Sequence, residues 1–218
     1  MKSGRFTASE RRPIRPEMTV SRPEMAGENV FVTWFSLGAD TSITPETYDV
    51  PVFYIGSEGR TTFLLGEEGS RVLLQSGELL YAPAGTLCGT ETAVGSIYTE
   101  LIIREEIQMN KVVKSGEAIT LKNLISYEEG SIANLDIVHT DDMKFVLMAF
   151  DEGTGLTPHR APGNAILTAL EGKAIIGYEG VDYELNAGEC FRFDKNGLHS
   201  VTPQGKFKMS LLLVLEKE

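Results

Sequence analysis

The residues of this chain best able to move a proton or hold a metal are three histidines, His139, His159 and His199, and two cysteines, Cys88 and Cys190. An imidazole titrates near neutrality, so two that converge can serve as general base and general acid, or give two lone pairs to a divalent ion. His139, in the turn-like IVHTDDM, reads as an exposed loop histidine. Catalytic ions usually take three protein ligands and keep one position open, so a pair of histidines would need a third donor. Asn164 is a candidate; Cys190 is another, although on a strand it would share a face with Arg192. The two cysteines are far apart in sequence and read as reduced thiols of an intracellular protein rather than a disulfide.

The elements that position these residues are strands. Short β-branched or aromatic segments alternate with Gly, Pro, Asp and Ser: VFVTWFSL, VFYIG, RTTFLL, RVLLQ, ELLYAP and SIYTELII in the first half. KFVLMAF, AILTAL, KAIIGY, ECFRF and FKMSLLLVL follow in the second, and no stretch has a long helical period. Trp34 and the Met-rich KFVLMAF read as core. The acidic GEEGS reads as a hairpin loop too short to cradle phosphate, so no nucleotide cofactor is expected.

The pattern repeats. Gly59 lies on Gly172 with an offset of 113, while Gly77-Glu78 and Cys88 lie on Gly188-Glu189 and His199 with an offset of 111. This divides the 218 residues into a barrel over 28–113 and a second over 114–218, joined at VVKSGEAI. The net charge is −11, which disfavours nucleic acid. Residues 1–22 hold six bases (Lys2, Arg5, Arg11, Arg12, Arg15, Arg22) against two acids, so the rest carries −15. Residues 1–27 therefore read as a basic arm, either laid on an acidic surface or solvated. With no apolar run long enough to span a bilayer and no secretory leader, the expected address is the cytoplasm, away from membrane.

The stretches GLTPHRAPGNAILTALEGKAIIGYEG (155–180) and NAGECFRFDKNGLHSVTP (186–203) resemble the two motifs of the cupin superfamily. That resemblance implies an all-β chain of two tandem cupin jelly-roll barrels, a bicupin, and family habit implies a homodimer. It also implies a site where His159 and His199 stand on two of four metal-ligand positions, the other two being held by Ala161 and Ala165. In the first barrel GELLYAPAG carries the likeness and Cys88 replaces the histidine, so that barrel reads as structural or as an interface. Two residues apart on a strand means one face, so His159, Ala161 and Ala165 should line an apolar cavity opposite His199, with Asn164 beside them.

Three functions follow. The C-terminal barrel binds a small organic molecule, of sugar or carboxylate type by family habit, with or without a divalent Zn, Mn, Fe or Ni ion on His159 and His199. Alternatively the histidines act without metal as the acid and base of an isomerase or epimerase. The third reading is a non-catalytic structural or sensor domain.

Overall fold

A computed structural model describes residues 3–215; Lys2 of the basic segment lies outside them. Along the chain run β1 (Gly4–Phe6), a one-turn helix α1 (Ala8–Arg11), β2 (Thr19–Ala26), β3 (Val30–Leu37), β4 (Thr41–Thr47) and β5 (Val52–Leu65). Next come β6 (Ser70–Gln75), β7 (Glu78–Ala82), β8 (Leu87–Thr92), β9 (Ser96–Ile103), β10 (Gln108–Met109) and β11 (Ala118–Thr120). After a single 3-10 turn follow β12 (Ile132–His139), β13 (Met143–Phe150), β14 (Leu156–Arg160), β15 (Gly163–Glu171) and β16 (Lys173–Tyr178). The last four are β17 (Val181–Asn186), β18 (Cys190–Phe193), β19 (Leu198–Pro203) and β20 (Phe207–Leu215). Among the described residues no helix is long and apolar enough to cross a membrane.

The strands form two compact units, each a curled antiparallel jelly roll. In the N-terminal barrel, β2, β3, β9, β5, β7 and β11 make one layer, and β4, β8 and β6 with the far half of β5 make the other. β5 serves both layers because it bends at a bulge between Gly56 and Glu58 and at Gly59. Gly59 has φ +65°, and a Cβ there would stand 2.3 Å from the Gly95 carbonyl oxygen, so only glycine fits the bend. In the C-terminal barrel the layers are β1-β18-β15-β20-β13-β12-β10 and β14-β19-β16-β17. The same bend falls at Gly172, with φ +77° and a Cβ position 2.1 Å from the Lys206 carbonyl.

The repeat seen in the sequence is therefore a repeat of hydrogen bonds. The N–H of Gly77 donates to the Gly56 carbonyl at 2.9 Å and that of Gly188 to the Ala169 carbonyl at 2.8 Å. Glu78 accepts from the Gln75 N–H at 2.8 Å, and Glu189 from the Asn186 N–H at 2.7 Å. The offset falls from 113 to 111 in one hairpin: residues 66–69 join β5 to β6, whereas only Glu179 and Gly180, both with positive φ, join β16 to β17.

The basic segment over 1–27 is not a single arm. β1 pairs with β18 of the C-terminal barrel, where Arg5 bonds the Glu189 carboxylate, and β2 pairs with β3 of the N-terminal one. The connector is likewise shared, since β10 pairs with β12 and β11 with β7. The N-terminal unit spans Ala8–Glu106 and Lys111–Thr120; the C-terminal unit takes the chain through Thr7, Ile107–Asn110 and the chain from Leu121. This differs from one crossing near residue 113. The physical reason is that β7 and β18 would otherwise expose unpaired backbone, and a three-residue strand covers each. Cys88 and Cys190 are both buried thiols outside any disulfide.

Candidate functional site

His159 and His199 come together. They face each other directly in the β14–β19 register, with ring centroids 4.2 Å apart and planes at 54°. Each Nδ1–H points at the carbonyl two residues earlier in its own chain, Thr157 at 2.8 Å and Gly197 at 2.9 Å. That fixes both tautomers and leaves each Nε2 lone pair directed away from the backbone. His199 is 7% exposed, and its ring lies 4.3 Å from that of Phe193. Burial, helped by the neighbouring His159, pushes the His199 imidazole below its ordinary pKa, so it rests neutral.

The predicted cavity around the pair takes a different form. His159 is exposed, because β14 is the edge strand of its sheet and carries a bulge between Leu156 and His159. Ala161 follows the end of β14 and shares no strand face with His159; its carbonyl accepts from the Asn196 N–H at 2.9 Å. The Asn164 carbonyl oxygen accepts from the Lys195 N–H at 3.2 Å, so that amide holds a loop. Ala165 is buried opposite Phe193 in the β15–β18 register, within a core that includes Phe150, Phe191, Phe193 and Phe207. The space a small residue leaves is taken by an aromatic ring. His139 sits at the end of β12, and Cys190 lies beside Thr168.

Two imidazoles are one donor short of a resident ion. Among the described residues no group of three or more His, Cys, Asp or Glu is arranged to hold a metal. With Asn164 engaged by the loop, the residues present do not complete a metal site.

Sequence reasoning missed a cavity in the N-terminal barrel. A cavity of about 250 Å³ opens between its layers, with Tyr54, Cys88, Thr90, Tyr98 and Glu100 buried at its floor. Phe35, Ile43 and Tyr48 form its walls, and the exposed Ser21, Thr44 and Glu46 its rim. Local pairing explains the convergence. Tyr98 and Glu100 share one face of β9; Tyr98 faces Phe35 across β3, and Glu100 faces Tyr54 across β5. Phe35 and Tyr98 stack at 5.1 Å and 5°, and Tyr54 packs on Phe63 at 4.5 Å, which fixes the tyrosines in place. From the opposite layer, Glu46 faces Cys88 in the β4–β8 register, the positions that His159 and His199 hold in the other barrel.

Glu100 is the unusual group. It is 7% exposed, and among the described residues its carboxyl accepts one hydrogen bond, a long one of 3.4 Å from the Tyr48 hydroxyl. Burial, with the charge of Glu46 adding to it against the Tyr48 bond, pushes its carboxyl up to about 7. Burial also raises the Cys88 thiol and keeps Tyr48, Tyr54 and Tyr98 protonated far above neutrality, so the tyrosines are hydrogen-bond donors. In the C-terminal barrel the register-equivalent positions of Tyr54, Thr90, Tyr98 and Glu100 are Leu167, Val201, Met209 and Leu211. One scaffold thus carries an apolar core in one copy and a polar pocket in the other. The signal was in the sequence: once the repeat is aligned, a glutamate falls where its counterpart is leucine.

Residues 146–215 match the family model of the cupin domain. The cupin 2 conserved barrel domain protein from Leptotrichia buccalis superposes with a TM-score of 0.84 at 23% identity, covering 98% of this chain and 98% of that one. A salicylate 1,2-dioxygenase from Pseudaminobacter salicylatoxidans superposes with a TM-score of 0.62 at 11% identity, over 85% of this chain and 71% of that one. No curated protein matches the sequence. The sequence match to the cupin domain lies in the C-terminal barrel, and the likeness to these structures extends the cupin fold over both barrels.

Proposed function

We propose that the protein is a small-molecule-binding bicupin whose ligand enters the N-terminal barrel. The observation that carries this is a buried carboxyl, Glu100, facing a cavity of about 250 Å³ among three tyrosines. A carboxylate kept out of water without a counter-charge lowers stability, and such groups cluster where a ligand is handled. The volume lies just below the usual range of ligand sites, which points to a small ligand. The likeness to a salicylate dioxygenase supports the fold; the donor set of two imidazoles gives no support for carrying that reaction over.

A second reading rests on the free Nε2 positions of His159 and His199. Such a pair suits acid/base work, or an ion whose shell a bound molecule completes. The packed core beneath it favours the first reading.

Ligand-observed NMR on a mixed panel of small amines, carboxylates, sugars and phenols discriminates the two. Binders should lose their signal with Cys88→Phe, which fills the pocket, and keep it with Cys88→Ala and with His199→Ala. Binding that survives Cys88→Phe but disappears with His199→Ala moves the site to the C-terminal barrel and overturns the proposal.

A further inference from the structure

We infer that the pocket of the N-terminal barrel takes an organic cation, an alkylammonium of about the size of choline, held among the rings of Tyr48, Tyr54 and Tyr98 against the Glu100 carboxylate. This rests on the proposed binding site and adds the chemical class of its ligand.

Charge is the first argument. The residues lining the cavity include two acids, Glu46 and Glu100, and no Lys, Arg or His. Among the described residues no cation stands against Glu100. A carboxylate ligand of the kind expected from family habit would meet repulsion from both acids, and a neutral sugar would leave the Glu100 charge unbalanced. A bound cation supplies the missing counter-charge. The net charge of −11 favours approach of the same kind of ligand.

Shape is the second. Four aromatic residues, Phe35, Tyr48, Tyr54 and Tyr98, line a small space. Three of them are held by mutual packing, Phe35 stacked on Tyr98 at 5.1 Å and Tyr54 edge to face with Tyr98 at 6.0 Å. Aromatic rings converging with a carboxylate attract an ammonium through their quadrupoles, the more strongly the more it is desolvated.

Economy of the fold is the third. The C-terminal barrel closes with Leu167, Val201, Met209 and Leu211 at the equivalent positions, so the jelly roll itself does not require Tyr54, Thr90, Tyr98 or Glu100.

Protonation follows. The groups facing Glu100 are Tyr54 from β5, Tyr98 from β9, Cys88 from β8, and Glu46 and Tyr48 from the β4 side. A cation selects the ionised carboxylate, so its affinity should rise as pH passes through about 7, and binding at pH 6 should release a proton.

Isothermal titration calorimetry on the full chain tests this with four probes: choline, n-butylammonium, 3,3-dimethylbutan-1-ol, which is the uncharged carbon analogue of choline, and butyrate. The expected result is that choline binds at least about tenfold more tightly than the alcohol, consistent with a charge-assisted contact. Glu100→Gln should remove that advantage while leaving the alcohol unchanged, and the heat measured at pH 6 should depend on buffer ionisation. Equal binding of choline and the alcohol, or tighter binding of butyrate, with loss on Cys88→Phe, overturns the cation and leaves the binding site standing. No binding by any of the four, in a Glu100→Gln protein that melts cooperatively as well as in the parent, overturns the cation inference; whether the pocket binds anything is then decided by the wider panel and Cys88→Phe.

Discussion

At pH 8 the Glu100→Gln protein is expected to be more stable than the parent by about 3 kcal/mol, the energy equivalent of the rise of this carboxyl from 4.5 to about 7. The sign follows from linkage. Between the unfolded value of 4.5 and the folded value of about 7, the native state holds a proton that the unfolded chain has released, so stability falls as pH rises through this window. The contribution of Glu100 is fully present below pH 4.5 and gone above about 7. Gln keeps the shape and never ionises. Denaturant titrations of both proteins from pH 4 to 8 should therefore diverge steadily, from near equality at the acid end. Parallel curves would mean that the carboxyl is hydrated rather than buried at the floor of the cavity. A residue whose removal stabilises the fold is one the fold retains for another purpose, and binding is the purpose proposed.

The second large effect lies in the segment that reads from sequence as a basic arm. Arg12 bonds the Glu24 carboxylate at 2.7 Å and Arg11 bonds it at 2.8 Å, with the Glu24 side chain 0% exposed. Burial lowers the Arg12 pKa, and Glu24 is what opposes that. Glu24→Gln takes the carboxylate away and leaves a guanidinium charge in a desolvated place, which costs about 3–5 kcal/mol. The lone Trp34, 2% exposed in β3, reports on this barrel, so its fluorescence should show unfolding at distinctly lower urea. High salt should not mimic the loss, since a buried pair is poorly screened. A midpoint unchanged within error would place the pair at the surface.

What the sequence disclosed was whatever local chemistry encodes. Gly59 and Gly172 announced the repeat because a bend against a carbonyl admits no side chain, and Glu78 and Glu189 cap the same turn three residues upstream. His199 and Cys88 were correctly set on equivalent positions, and each donates to the carbonyl two residues before it. What depends on pairing between distant strands stayed hidden. The exposure of His159 comes from the edge position of β14, and the destination of Arg5 and Phe6 depends on β18, more than 180 residues away. Glu100 was overlooked in SIYTELII because a single acid in an apolar strand looks like a solvent-facing residue until its cross-strand partner Tyr54 is known to be buried.

The most direct test is a protein-observed NMR titration with the tightest-binding member of the small-molecule panel, following backbone amides and histidine side chains together. The account predicts saturating shifts concentrated at Glu46, Cys88, Tyr98 and Glu100, with the imidazole resonances of His159 and His199 unmoved. Shifts confined to His159, His199 and their neighbours, with β8 and β9 silent, would contradict it.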